Sequence, residues 1–178
     1  MALLAEEIVE EWLNRQGYFT IRGIKIGVHE IDLLAIKWRS EENVECRHIE
    51  VQASMRPVSY ISRVPKKGQK AGRAKNSAKR SESELIEGVA EWVETKFLLA
   101  QKKELMGKLW SGEWSSELVV NVVKSEDELK LIASHGIRIF RLNDIVSALA
   151  KDSFVVGSAS GADIVDLIHM GTHAQRAD

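Results

Sequence analysis

The sequence predicts an α/β or α+β fold, in which helices cover a sheet. Three observations carry that prediction: an amphipathic stripe over residues 3 to 16, three β-rich segments directly after it, and alternating helix and strand patterns from Leu85 onward. At 178 residues the chain is long enough for one domain with a real core and short for two, so residues 1–178 read as a single unit. Charged residues at 29% and hydrophobic ones at 44% suit a folded globular protein and not a disordered one.

The elements follow in order. Leu4, Ile8 and Trp12 recur at i, i+4, i+8, and Ala5, Val9 and Leu13 widen the stripe into a helix that Gly17 ends. Segments 18–26, 28–38 and 44–53 are rich in β-branched and aromatic residues and are separated by Gly27 and by the polar run SEEN, so they read as strands in a meander. From Arg56 to Arg80 the apolar periodicity disappears and a loop is predicted. Ser83 is the expected N-cap of a long helix over about 84–110, where Leu85, Val89, Trp92, Val93, Lys96 and Phe97 recur at helical spacing. A short buried strand is expected at 118–123, and Ser125 with Glu128 three residues on caps a helix running to about His135. A strand at 137–142, a helix opening at Asn143 or Asp144, a hinge-like GSASG at 157–161 and a last short helix from Ala162 to Met170 complete the order αβββαβαβα.

Composition narrows the function. The net charge of −1 conceals an asymmetry, with acids crowding the first helix and bases collecting between Arg56 and Arg80. A single cysteine, Cys46, excludes an intramolecular disulfide. The opening MALLAEEIVEEW breaks its apolar residues with acids, and no run approaches a membrane span, so a cytoplasmic protein without a membrane partner is expected.

Two carboxylates stand out. EIDLLA (Glu30 to Ala35) and IEVQ (Ile49 to Gln52) each set an acid, Asp32 and Glu50, into a strand too apolar on both faces for a solvated edge. Residues i and i+2 share a strand face, so Glu50 and Gln52 point one way and Ile49 and Val51 the other. If the two strands are neighbours, Asp32 and Glu50 converge, and two buried acids need a cation to offset their repulsion. All-oxygen ligation by Asp32, Glu50 and a main-chain carbonyl suits Mg²⁺ or Mn²⁺, which in turn suits phosphodiester hydrolysis.

The series AEEIVEEWLNRQGYF, EIDLLA and IEVQ resembles the PD-(D/E)xK nuclease superfamily, with its closest likeness to archaeal Holliday junction resolvase-type proteins. The resemblance implies a restriction-endonuclease-like αβββαβ core over about 3–123 with a central mixed sheet flanked by helices; residues 124–178, beyond that core, read as a C-terminal αβα extension packed on it. It implies Glu6 as a catalytic helix acid, Asp32 and Glu50 as catalytic residues and metal ligands, the Val51 carbonyl as a third ligand, and Gln52 at the lysine position. In the family that lysine activates the attacking water and offsets transition-state charge, which an amide does not fully copy. Two readings stay open. In one, Gln52 orients the water in a metal-dependent DNA endonuclease assisted by Glu6, with Lys25, Lys37 or Lys66 as sources of a migrated ammonium. In the other, a degenerate site leaves a DNA-binding or assembly module.

The segment following the third strand fits a phosphate-binding arm. Lys66, Lys67, Lys70, Arg73, Lys75, Lys79 and Arg80 lie in an acid-free run, and Arg56 and Arg63 extend it toward the strand. Contacts of that kind are blind to base sequence. Duplex or branched DNA is the expected partner, and a homodimer suits cleavage of two strands.

Overall fold

A computed structural model describes residues 2–54, 56–151 and 162–174. Helix α1 (Ala2–Arg15) leads into strands β1 (Phe19–Ile26), β2 (His29–Trp38) and β3 (Val44–Gln52). Helices α2 (Lys66–Lys70) and α3 (Glu82–Val93) follow, then a π-helical turn (Glu94–Leu98) and helix α4 (Ala100–Leu109). The remainder is β4 (Trp114–Val120), α5 (Glu126–Ser134), β5 (Arg138–Arg141), α6 (Leu142–Leu149) and α7 (Ala162–Ala174).

The five strands form one mixed sheet in the order β1-β2-β3-β4-β5. The first three make an antiparallel meander, and β4 and β5 join in parallel. Parallel neighbours require crossovers, and α3 with α4 and then α5 supply them. On one face Leu33, Ala35, Ile49, Val51 and Val119 pack against α1, α6 and Val165 of α7. On the other, Leu118 and Val120 meet Val89, Val93 and Phe97 of the α3 and π-turn segment and Leu129 and Ile132 of α5. Met106 of α4 closes over Ile31 and Leu34. The α/β class and the helix-flanked mixed sheet thus agree with the expectation.

The differences are local and have physical causes. The helix expected over 84–110 is broken: the π-turn widens its end, and Leu99, at φ −57 and ψ 126, leaves helical geometry before α4 begins. Its N-cap is Ser81 and not Ser83, because Ser81 and Glu84 form the reciprocal capping box. The loop expected over 56–80 contains the single-turn helix α2. The strand expected at 118–123 is Trp114–Val120, extended backward by pairing with Cys46 to Gln52 of β3. Ser125 does cap α5 through the Glu128 amide. The Glu128 carboxylate is turned away to the Ile61 and Ser62 amides, at 2.7 and 2.9 Å, where it ties down the segment after β3. GSASG at 157–161 lies outside the described residues.

Candidate functional site

The site forms where β2 and β3 stop pairing. Their ladder ends at Leu33 opposite Ile49, and the next position on each strand is Asp32 and Glu50. Both are buried, Asp32 at 8% exposure and Glu50 at 0%. Asp32 Oδ2 accepts from the Val51 amide at 2.7 Å, in the place of the ladder bond that β2 no longer provides. In an extended strand the N–H and C=O of one residue project to the same edge, so the Val51 carbonyl also lies on the Asp32 side.

Glu50 is held by three basic side chains. Lys96, from the π-turn, donates to Oε2 at 2.5 Å, and Lys102, from α4, donates to Oε1 at 2.6 Å. His48 Nε2 lies 3.1 Å from the same Oε1. Lys102 also donates to the Lys96 carbonyl at 2.8 Å, which fastens the π-turn to the site. Burial alone would raise the Glu50 carboxyl, but the His48 hydrogen bond and both lysine charges outweigh it and hold the group at about 2. Burial also depresses His48 and keeps it neutral, so its Nε2–H donates to the Glu50 carboxylate.

Asp32 behaves in the opposite way. Burial first, then the charge of Glu50, lift its carboxyl to about 7, against the pull of Lys96 and the Val51 amide. Lys96 itself is raised, since the charges of Glu50 and Asp32 overcome its desolvation. Glu6, half-buried on α1, is raised by burial and then by Glu30, and it also feels Lys96 and Glu50. The helix acid therefore borders the same electrostatic cluster. Gln52 lies two residues beyond Glu50 on β3 and is half-buried.

None of Lys25, Lys37 and Lys66 is hydrogen-bonded to Glu50 among the described residues. Lys37 donates to the Gln16 carbonyl and lies over the Tyr18 ring, while Lys25 and Lys66 are exposed. The partly exposed ammonium that reaches Glu50 is instead that of Lys96. One signal in the sequence marked it: a lysine on the same helical stripe as Val89, Trp92 and Val93, where a charge needs a buried partner. Lys102, 1% exposed, carried no such periodic mark.

A pH dependence follows from Asp32. The unfolded carboxyl ionises near its ordinary 3.8, whereas the folded one keeps its proton up to about 7. Between those values the folded state binds more protons, so the contribution of Asp32 to stability declines as pH rises through the window. Glu50 runs the other way: its contribution is complete above 4.5 and is lost as pH falls toward about 2. Asp32→Asn keeps an oxygen for the Val51 amide and removes the repulsion. In EDTA at pH 8 it is expected to raise the melting temperature by roughly 2–4 °C, equivalent to about 1 kcal/mol, and to flatten the slope between pH 4 and 7. Calorimetry across that pH range checks it.

No family model matches the chain, and no curated protein matches it. Among solved structures, a crystallised protein of unknown function, AF1548, is similar at 13% identity, with a TM-score of 0.47 and coverage of 83% of this chain. This chain spans 66% of that protein's length. A likeness at that level assigns neither a fold family nor a function.

The donors at the β2–β3 fork are all oxygen, two carboxylates and a carbonyl, which is the chemistry a hard divalent ion requires. Among the described residues no three His, Cys, Asp or Glu side chains assemble into a ready cage. Lys96 and Lys102 pair with Glu50, and the Lys96 charge also acts on Asp32.

The basic segment is folded onto the protein. Val64 N–H donates to the Lys75 carbonyl at 2.9 Å and closes the loop around α2. Two of its predicted DNA contacts are engaged internally: Arg73 bonds the Lys79 carbonyl and Glu84, and Arg80 bonds Ser62 and stacks 4.2 Å over Tyr60. Arg56, Arg63, Lys66, Lys67, Lys70, Lys75 and Lys79 remain exposed.

Proposed function

We propose that this chain is a metal-dependent DNA endonuclease with a restriction-endonuclease-like core of the PD-(D/E)xK type, whose lysine comes from the π-turn. The observation that carries the reading is the meeting of Asp32, Glu50 and Lys96 at the fork of β2 and β3, with Lys96 Nζ 2.5 Å from Glu50. That ammonium supplies the charge that Gln52 lacks. Asp32, Glu50 and the Val51 carbonyl would hold Mg²⁺ or Mn²⁺, which when bound supplies Lewis acidity toward a phosphodiester. Lys96 stabilises the charge that grows on the phosphoryl oxygens, and Gln52 orients the attacking water through its amide. Glu6 adds negative potential at the rim, and the exposed lysines and arginines between Arg56 and Lys79 neutralise the DNA backbone.

A second reading, a DNA-binding module that does not cut, is favoured by one feature: both Glu50 oxygens already have ammonium partners. The two readings separate in one assay. Supercoiled plasmid, linear duplex, single strands and a four-way junction are incubated with Mg²⁺, Mn²⁺ or EDTA, beside Asp32→Ala. The nuclease reading expects metal-dependent cleavage that falls by about 10²-fold or more in the variant. DNA retention without cleavage, equal in both proteins, supports the second reading.

A further inference from the structure

Glu50 distributes its contacts unevenly between its two oxygens. Oε1 accepts from Lys102 at 2.6 Å and faces His48 at 3.1 Å, whereas Oε2 accepts from Lys96 at 2.5 Å. The two lysines differ in freedom. The Lys102 side chain is 1% exposed, and its ammonium also bonds the Lys96 carbonyl. The Lys96 side chain is 25% exposed and reaches Glu50 from a turn at the edge of the site. An ammonium that leaves Oε1 enters the protein interior, whereas one that leaves Oε2 has water to enter.

We propose that Lys96 is an exchangeable occupant of the cation position: one divalent ion per chain binds by displacing it from Glu50 Oε2, while Lys102 stays on Oε1. This rests on the metal reading given above. Oε1 is closed by a buried lysine and a histidine, so the donors left once Lys96 departs, Asp32, Glu50 Oε2 and the Val51 carbonyl, suffice for a single ion. The displaced ammonium remains on a stem whose backbone Lys102 holds through the Lys96 carbonyl. It is then free to face an anionic substrate beside the site. Metal loading and delivery of the lysine are one event.

Mn²⁺ binding to the full chain, followed by electron paramagnetic resonance, tests the exchange without a turnover assay. The parent is expected to bind one Mn²⁺, and Lys96→Met to bind one Mn²⁺ roughly tenfold more tightly, because no ammonium competes for the acid. In ¹⁵N-lysine-labelled parent protein, Mg²⁺ is expected to shift the Lys96 Nζ resonance and leave that of Lys102 in place. Equal or weaker Mn²⁺ binding by Lys96→Met, two ions per chain, or movement of the Lys102 signal overturns the proposal while the metal reading stands. Absence of binding in both proteins overturns the two together.

Discussion

Glu50→Ala is expected to abolish cleavage and also to destabilise the fold by about 3–5 kcal/mol, since it strands Lys102 in the interior without its anion. The lysine is 1% exposed and, among the described residues, keeps as acceptor only the Lys96 carbonyl. Lys96 can turn to solvent and adds little to the loss. Urea unfolding of three proteins isolates the cause. Glu50→Gln retains an acceptor oxygen and should lose less, and Glu50→Ala/Lys102→Met should recover much of the stability by removing both members of the pair. Neither is expected to cut DNA. If Glu50→Ala unfolds like the parent, the Lys102 ion pair described here is not part of what holds the sheet to α4.

Arg47→Ala should cost a similar amount, about 3–5 kcal/mol, through a different network on the opposite face of β3. Arg47 is 4% exposed, and its Nε donates to Glu117 Oε2 at 2.8 Å. Three rings enclose the guanidinium, with centroids 5.2 Å away for Trp12, 5.1 Å for Tyr18 and 5.5 Å for Phe140. Removing it leaves the fully buried Glu117 carboxylate to Ser115 and to Arg138, whose side chain is half-exposed. The loss joins α1, β3, β4 and β5 in one event. Arg47→Lys is also expected to be costly, because an ammonium cannot offer the planar fork to Glu117 while stacking on the rings. Denaturant midpoints measure both. Because Arg47 and Glu50 face opposite sides of the sheet, cleavage assayed well below the melting temperature should be unchanged.

The contrast between these two networks bears on how much of the molecule could be read from its sequence. Asp32 and Glu50 were legible because strand alternation is strictly local: a carboxylate set in an otherwise apolar strand, twice, with one meander between them, leaves few ways to pair. The meander of β1, β2 and β3 followed from the same β-rich segments, whereas the parallel addition of β4 and β5 depends on helical crossovers that strand patterns do not specify. Lys96 was not assigned its place, because its direction depends on a π-turn and on the break at Leu99, and the residues 94–98 read as ordinary helix. Lys102 and Glu117 were hidden for a related reason: each is buried by a partner 52 or 70 residues away, and such separations leave no local pattern. Glu128 looked like half of a capping box, and its spacing was correct. The competing amides of Ile61 and Ser62 decided where its carboxylate went.

The most direct test of the account compares two positions for one ammonium. Cleavage rates are measured with saturating Mg²⁺ for the parent, Lys96→Met, Gln52→Ala and Lys96→Met/Gln52→Lys. The account predicts a loss of about 10²-fold or more in Lys96→Met, less than about tenfold in Gln52→Ala, and partial recovery when the lysine is returned at position 52 on β3. Full activity in Lys96→Met, or no metal-dependent cleavage by the parent protein on any DNA substrate, would contradict it.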